Sequence, residues 1–142
     1  MKLEPTQKQV TGNLGEDIAT RFLEKKGFEI IERNYRKKFG EIDIVAKRAE
    51  IVHFVEVKTV SRENLKDPAY RPESDSNNPE DCFRPEDNVH PLKQKRLSRA
   101  IQVYLEERKL GEETFWQFDV ITILLDVKNK IARVKMLEDI IL

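Results

Sequence analysis

The sequence has little of several features on which common architectures depend. Its 142 residues include a single cysteine, Cys82, which excludes an internal disulfide and a cysteine-based metal site. No uninterrupted apolar run exceeds three residues, whereas a membrane helix needs about 20 and a signal peptide about 7–15. Net charge is absent too, since 26 basic and 26 acidic residues cancel, so bulk charge gives no reason to expect a polyanionic partner. We therefore expect a cytoplasmic protein that does not enter a membrane.

Charge itself is abundant and unevenly distributed. Charged residues make up 37% of the chain, above the usual ~25%, and the length suits one domain over residues 1–142. Residues 61–90 hold four basic and eight acidic residues and four of the six prolines, whereas residues 91–109 hold six basic and two acidic. Because so polar a stretch buries too little to offset its ordering entropy, we predict a mobile loop over 61–90. Such long loops are often functional, although a disposable insertion fits equally well.

Hydrophobic patterning predicts two helices and five strands. One helix is predicted over residues 14–26, capped by Asn13 and ended by Gly27, and a second over 91–109, beginning at Pro91. Runs rich in Ile, Val and Phe predict strands over 28–35, 40–46, 51–59, 116–125 and 131–136. The order αβββ, loop, αββ predicts an α/β fold with a central mixed sheet flanked by helices.

The first predicted helix has a face suited to close packing. Leu14, Ile18 and Phe22 form one apolar stripe at 100° per residue, flanked by Ala19 and Leu23. Gly15 falls on that stripe, where the missing side chain would let the helix press close to a sheet. Glu16 falls at the edge of the stripe, so we expect it to point along the rim of that sheet.

Charged residues interrupt two strands that should be apolar. In the run 40–46, alternation places Asp43 on the face opposite Ile42 and Ile44. In the next strand Glu56 and Lys58 stand side by side on one face, ~6.6 Å apart along the strand. Burying unpaired charges is costly, so their position at the ends of neighbouring hydrophobic strands needs a reason.

A hard divalent cation supplies that reason. Mg²⁺ (or Mn²⁺) is commonly held by one or two carboxylates, here Asp43 and Glu56, and the Val57 carbonyl is available as a third oxygen. Lys58 would then orient or deprotonate an attacking water, and Glu16 would hold a second ion or a bridging water. The plainer interpretation is a strand-face ion pair between Glu56 and Lys58, which is the commoner meaning of an isolated acidic-x-Lys tripeptide. The neighbouring strand and the preceding helix favour the metal site.

Basic residues supply candidate contacts with nucleic acid. Lys93, near the start of the second helix, is placed to contact a phosphate or the carboxylate cluster, although a lysine snorkelling at the helix end fits as well. Further candidates for backbone-phosphate contacts are Lys95, Arg96 and Arg99 on the opposite face of that helix, and Arg36 lies in a basic loop between Tyr35 and Phe39, a composition that can stack bases. A solvated helix face is the plainer account of the first three.

Two other ionisable residues lie in predicted strands. His53 falls on an entirely apolar strand face, so we expect a core histidine rather than a metal ligand. Asp119 falls in a buried strand, and its spacing assigns it no role.

Together these residues resemble a known family. The order of Glu16, Asp43, Glu56 and Lys58 is similar to that in the PD-(D/E)xK nuclease superfamily, whose restriction-endonuclease-like αβββαβ core matches the predicted elements. The bacterial YraN-like proteins are resembled more closely, in G-E-D-I-A (15–19), R-N-Y-R (33–36), G-E-I-D-I-V-A (40–46), F-V-E-V-K-T (54–59), K-Q-K-R-L (93–97) and F-D-V-I (118–121). The resemblance excludes residues 61–90, and Ile42 stands where the superfamily loosely keeps a proline.

The resemblance implies a metal-dependent endonuclease that hydrolyses DNA phosphodiester bonds. YraN-like proteins are grouped with endonucleases similar to archaeal Holliday-junction resolvases, which implies structured or branched DNA as substrate and Mg²⁺ or Mn²⁺ as cofactor. The alternative is a non-catalytic nucleic-acid-binding or assembly module on a nuclease scaffold. Zero net charge favours that alternative, whereas the intact acidic pair and lysine disfavour it. A homodimer would suit a substrate with two scissile strands, and the sequence leaves this open.

Overall fold

Five strands form one mixed sheet between two helices. This computed structural model describes residues 6–62, 65 and 91–142. The elements are α1 (Gln7–Lys25), β1 (Glu29–Lys37), β2 (Gly40–Arg48), β3 (Ile51–Ser61), α2 (Pro91–Glu107), β4 (Phe115–Asp126) and β5 (Ile131–Leu137). The strands lie side by side in sequence order, β3 and β4 parallel and the other neighbours antiparallel. The predicted α/β fold with a mixed sheet is confirmed and is consistent with an αβββαβ core. Within the described ranges, neither helix is long and apolar enough to cross a membrane.

Each face of the sheet is covered by one helix. Ala19 and Leu23 of α1 belong to one buried cluster with Val55 of β3, whereas Leu97 of α2 belongs to a second cluster with Phe54. Because successive strand residues point to opposite faces, odd-numbered residues of β3 face α1 and even-numbered ones face α2. This alternation decides which helix each polar residue of β3 meets.

The first helix begins earlier than its predicted start. Thr6 is its N-cap: the Thr6 hydroxyl accepts from the Gln9 N–H at 3.1 Å, and the Gln9 side chain accepts from the Thr6 N–H at 2.8 Å. This reciprocal capping box stabilises the helix start, so the predicted cap at Asn13 is wrong and Asn13 lies inside α1.

The buried stripe of α1 is turned by one position from the predicted one. Leu14 is 38% exposed, whereas Ala19 and Leu23 are completely buried. Gly15 is buried in line with them, and a Cβ atom added there would come within 2.8 Å of the Thr59 Cβ of β3. The predicted close approach at Gly15 is therefore confirmed.

Side-chain alternation in β2 breaks down around Asp43. Ile42 packs in the cluster that contains α2, whereas Ile44 packs in the cluster that contains α1. The prediction that both isoleucines share one face opposite Asp43 is therefore wrong. Asn34 of β1 lies between the partners of those two isoleucines and has a φ of 55°, a left-handed conformation that Asn tolerates better than most residues. The β1–β2 pair is therefore irregular at Asn34, opposite the charged residue Asp43.

The predicted loop over 61–90 begins with ordered residues. Ser61 is the last residue of β3. Leu65 is 2% exposed, its N–H donates to Asp126 Oδ2 at 3.3 Å, and its carbonyl accepts from the Arg133 guanidinium at 2.9 Å. Apart from residues 61, 62 and 65, this loop lies outside the described residues, and its mobility stays a prediction.

The contact at Gly15 predicts opposite effects for two alanine substitutions in α1. Gly15→Ala should lower the free energy of unfolding by about 1–3 kcal/mol, because the new methyl group overlaps the stiff Thr59 side chain. Gly12→Ala is the matched control: a Cβ there meets nothing within 4 Å, and higher helix propensity should add up to about 1 kcal/mol. Urea unfolding measures both values. Equal stability of the two variants would contradict the packing.

Candidate functional site

The hydrogen-bonded pairing of β2 with β3 ends at Ile44 and Val55, although both strands continue. The remaining part of β2 pairs with β1, and the remaining part of β3 runs beside β4. We call the opening between the two strands, with Asp43, Glu56, Val57 and Lys58 around it, the strand fork. Three of the predicted catalytic residues and the predicted carbonyl ligand are therefore brought together.

The Asp43 side chain takes the place of a missing backbone partner. Its Oδ2 accepts a hydrogen bond from the Val57 N–H at 2.8 Å. The N–H and C=O of a strand residue point toward the same neighbouring strand, so the Val57 carbonyl also faces the strand fork. A carboxylate and a carbonyl oxygen thus flank the same opening.

Burial, the largest cause, raises the pKa of Asp43 from its ordinary 3.8 to about 7. The carboxylates of Glu56 and Glu16 act in the same direction, whereas the hydrogen bond from Val57 opposes them. An additional positive charge at this position would relieve both the burial and the repulsion. The electrostatics of Asp43 therefore suit a cation.

Glu56 has one oxygen that is paired and one that is not. Its Oε1 forms an ion pair with the Lys93 ammonium of α2, as expected for an even-numbered residue of β3. Its Oε2 is buried and has no hydrogen-bond partner among the described residues. Leaving a buried charged acceptor unsatisfied costs more than an ordinary hydrogen bond gains. Glu56 Oε2 is thus an oxygen donor that can bind a cation or accept a hydrogen bond from a water.

Lys58 stands two residues beyond Glu56 on the α2 side of the sheet. Burial lowers the pKa of Lys58, the positive charge of Lys93 lowers it further, and Glu56 partly opposes both. A lysine with a lowered pKa releases its proton more readily than an exposed one. Its position and its pKa suit proton transfer beside the two carboxylates.

Glu16 lies at the rim of the strand fork on α1. Burial raises its pKa, while the guanidinium of Arg33 lowers it; Arg33 lies 3.9 Å from Glu16 and 2.9 Å from Asp17. Among the described residues, no three His, Cys, Asp or Glu side chains gather closely enough to hold a metal ion. Glu16 is therefore within electrostatic range of Asp43 without being a third clustered ligand.

The oxygen donors of the strand fork fit a hard divalent cation. Asp43 and Glu56 offer carboxylates, and the Val57 carbonyl offers a neutral oxygen. Such donors suit Mg²⁺ or Mn²⁺ rather than a soft metal. The unpartnered Glu56 Oε2 is the observation on which this fit depends.

The predicted nucleic-acid-binding residues separate into two groups. Arg36, Lys93 and Arg96 line one cavity beside the strand fork. Arg99 lies outside that lining and places its guanidinium 5.2 Å from the centre of the Phe39 ring. Lys95 is exposed and is absent from the lining.

Asp119 has a structural role that its sequence spacing did not reveal. It is completely buried, and its Oδ2 lies 2.6 Å from Nδ1 of His53. Its Oδ1 accepts from the Gln117 side chain at 2.8 Å and from the Asp139 N–H at 2.9 Å. His53 is 3% exposed and meets the edge of the Phe28 ring, so the prediction of a core histidine is confirmed. A charged residue within an apolar strand, beside a core histidine, was the available signal.

Comparisons with known proteins agree with the motifs. Residues 15–123 match the description "Uncharacterised protein family UPF0102". The chain is similar to a UPF0102 protein of Caldicellulosiruptor saccharolyticus, with 33% identity over 132 residues that cover 93% of this chain and 97% of the relative. It is also similar to a UPF0102 protein of Dictyoglomus turgidum, with 36% identity over 120 residues, 84% of this chain and 86% of the relative. A UPF0102 protein of Campylobacter jejuni is 66% identical over 47 residues, 33% of this chain and 42% of the relative.

The matched range contains Glu16 and the whole strand fork, and it ends within β4. The resemblance to YraN-like proteins is therefore confirmed at the level of the family. With a match over most of its length and two relatives similar along nearly all of theirs, this chain belongs to the uncharacterised family UPF0102 of YraN-like proteins.

Proposed function

We propose that this protein is a metal-dependent endonuclease that hydrolyses phosphodiester bonds of DNA, with structured or branched DNA as its substrate. The observation that carries the proposal is the buried Glu56 Oε2, which has no hydrogen-bond partner among the described residues and belongs to the strand fork together with Asp43 and Lys58. Oxygen ligands can hold a cation that activates water for phosphodiester hydrolysis, and a lysine beside them can act on that water.

Asp43, Glu56 and the Val57 carbonyl would hold Mg²⁺ or Mn²⁺. When bound, such an ion lowers the pKa of a water and neutralises charge that develops on the phosphate. The carboxylates also exclude other anions from the strand fork, so a phosphate enters only when positive charge compensates them.

Lys58 would orient the attacking water as an ammonium group, or accept its proton as a neutral amine. Its ammonium is on the same strand face as the Glu56 carboxylate, and its lowered pKa eases proton exchange. Glu16, at the rim, would hold a bridging water or a second ion, and the Arg33 guanidinium lies 3.9 Å from its carboxylate. These roles assign one task to each of the four charged residues.

Basic residues beside the strand fork would position the DNA backbone. Arg36, Lys93 and Arg96 surround one cavity next to it, and phosphate contacts of this kind fix the register of a nucleic acid without reading its sequence. Local positive charge near the site compensates for the zero net charge of the chain.

One observation favours the non-catalytic alternative. The Lys93 ammonium already neutralises part of the Glu56 charge, as a structural ion pair would. A binding or assembly module would then need no cation at the strand fork. Cation binding and its loss in an Asp43 variant separate the two functions.

The proposal predicts cleavage that depends on both a divalent cation and the strand fork. Labelled linear, nicked and four-way-junction DNA should be cut with Mg²⁺ or Mn²⁺ and left intact with EDTA. Asp43→Ala and Lys58→Ala should each lower the cleavage rate at least about a hundredfold, because the first removes a ligand of the cation and the second removes the group that acts on the attacking water. Electrophoresis of the products measures the rates.

Lys25→Ala is the matched control for Lys58→Ala. Lys25 is exposed in the last turn of α1, roughly 14 Å along the helix from Glu16, so its variant should cut like the wild type. The catalytic proposal fails if the wild type cuts none of the three DNAs with either metal, or if the Asp43 and Lys58 variants cut as fast as the wild type. Salt-sensitive DNA binding without any response to cations would then favour the non-catalytic module.

The pKa of Asp43 predicts how stability depends on pH. Because this pKa is about 7 in the folded protein and 3.8 ordinarily, Asp43 contributes stability that is fully present below pH 3.8 and is lost as the pH rises through 7. Asp43→Asn stays neutral and can still accept from the Val57 N–H. In EDTA at pH 8, this variant should exceed the wild type by roughly 1–4 kcal/mol, and by less at pH 5. Urea unfolding at both pH values measures the difference.

The same variant separates cation binding from packing. Mn²⁺ should raise the unfolding midpoint of the wild type, because a ligand that binds the folded state stabilises it. Asp43→Asn should show little of that increase. Lower stability of the variant in EDTA at pH 8, or an equal response of both proteins to Mn²⁺, would contradict the described electrostatics of Asp43.

A further inference from the structure

A cavity of about 560 Å³ lies between the β1–β2 hairpin and the N-terminal half of α2. Its volume is in the range of small-ligand sites, roughly 300–1,000 Å³. Five of its ten lining residues are Lys or Arg and one, Glu41, is acidic. Phe39, Leu92 and Leu97 supply the apolar part of the lining. The cavity combines positive charge with an aromatic wall.

The walls of this cavity are fixed against each other. A Cβ atom at Gly40 would come within 2.6 Å of the Arg96 carbonyl oxygen, so the hairpin and α2 touch through their backbones. Lys37 at the end of β1 pairs with Glu107 of α2 at 2.9 Å. These two contacts hold the hairpin against the helix. The cavity between hairpin and helix therefore has a fixed shape.

The positive charges of the cavity are only partly compensated. Arg36 pairs with Glu41 at 3.2 Å, and Lys93 pairs with Glu56. Within the described part of the chain, Lys38 and Arg96 have no acidic partner. Two basic side chains without a carboxylate partner, in a cavity that also has an apolar wall, favour the binding of a negatively charged ligand.

We propose that this cavity binds a single unpaired nucleotide of the DNA strand through its phosphate. Arg96 and Lys38 would contact the phosphate oxygens, for which guanidinium groups have matching geometry. The Phe39 ring would contact the base or the sugar, as aromatic side chains do in sites for single strands. This inference rests on the proposed function for its choice of DNA.

Lys93 places the cavity next to the strand fork. Its side chain lines the cavity and also contacts Glu56 Oε1. A nucleotide in the cavity would therefore be separated from the proposed metal ligand Glu56 only by the Lys93 side chain. A B-form duplex, whose major groove alone is about 12 Å wide, is too large for the cavity. The substrate class is therefore DNA with an unpaired nucleotide beside the cleaved bond, as at a strand end, a flap or a branch.

Calorimetric titration of the full chain in EDTA tests the cavity without requiring metal or catalysis. Thymidine 5′-monophosphate should bind the wild type, and thymidine should bind at least about tenfold more weakly because it lacks the phosphate. Arg96→Gln should weaken binding of the monophosphate at least about fivefold. Lys25→Gln is the control, because it removes the same charge from an exposed helix position that lies outside the lining, on the helix that covers the other face of the sheet, and it should leave the affinity within about twofold.

A competition measurement extends the test to DNA. In EDTA, a duplex with a short single-stranded overhang should compete for the wild type at least about fivefold better than a blunt duplex of equal length. Arg96→Gln should remove this difference and Lys25→Gln should keep it. The cavity proposal is overturned if the monophosphate fails to bind at millimolar concentration, or if both variants weaken binding equally. Nucleotide binding without cleavage would refute only the endonuclease, and cleavage without nucleotide binding would refute only the cavity.

Discussion

The hydrogen bond from the Val57 N–H to the Asp43 carboxylate is the interaction on which the candidate site depends. It closes the end of the β2–β3 ladder with a side chain, so the two strands separate without leaving that donor unpaired. Separation exposes a carbonyl and directs a carboxylate into the opening. The Glu56 and Lys58 side chains then meet this opening from the α2 side.

The fold could largely be predicted from the sequence because most of its elements follow regular periods. All five strands begin and end within two residues of their predicted bounds, and Gly15 indicated close packing before any contact was known. The start of α1 was missed because Gly12 and Asn13 resemble a helix break, whereas the capping box at Thr6 lies further back. Rotation of the buried stripe toward Ala19 and Leu23 depends on the approach to Thr59, which a helical period alone does not contain.

The candidate site was predictable in its members and less so in its geometry. Asp43, Glu56 and Lys58 were conspicuous because charges in apolar strands are expensive. Strict alternation failed at Asp43, since it assumes a regular strand and the left-handed Asn34 stands opposite. Asp119 was given no role because its partners His53 and Asp139 come from distant parts of the sequence. Local patterns identify charged residues whose burial is unfavourable, and tertiary contacts decide which groups offset that unfavourable free energy.

The anchoring of Leu65 also bears on how this family can diversify. Hydrogen bonds to Asp126 and Arg133 hold its backbone beside the β4–β5 turn, and the next described residue, Pro91, begins α2. Closing a flexible connection between two fixed points costs only about 0.6 kcal/mol for each doubling of its length. In the loop that the sequence predicts over 61–90, insertions and deletions should therefore accumulate over evolution at little thermodynamic expense, while the described helices and strands on either side stay unchanged.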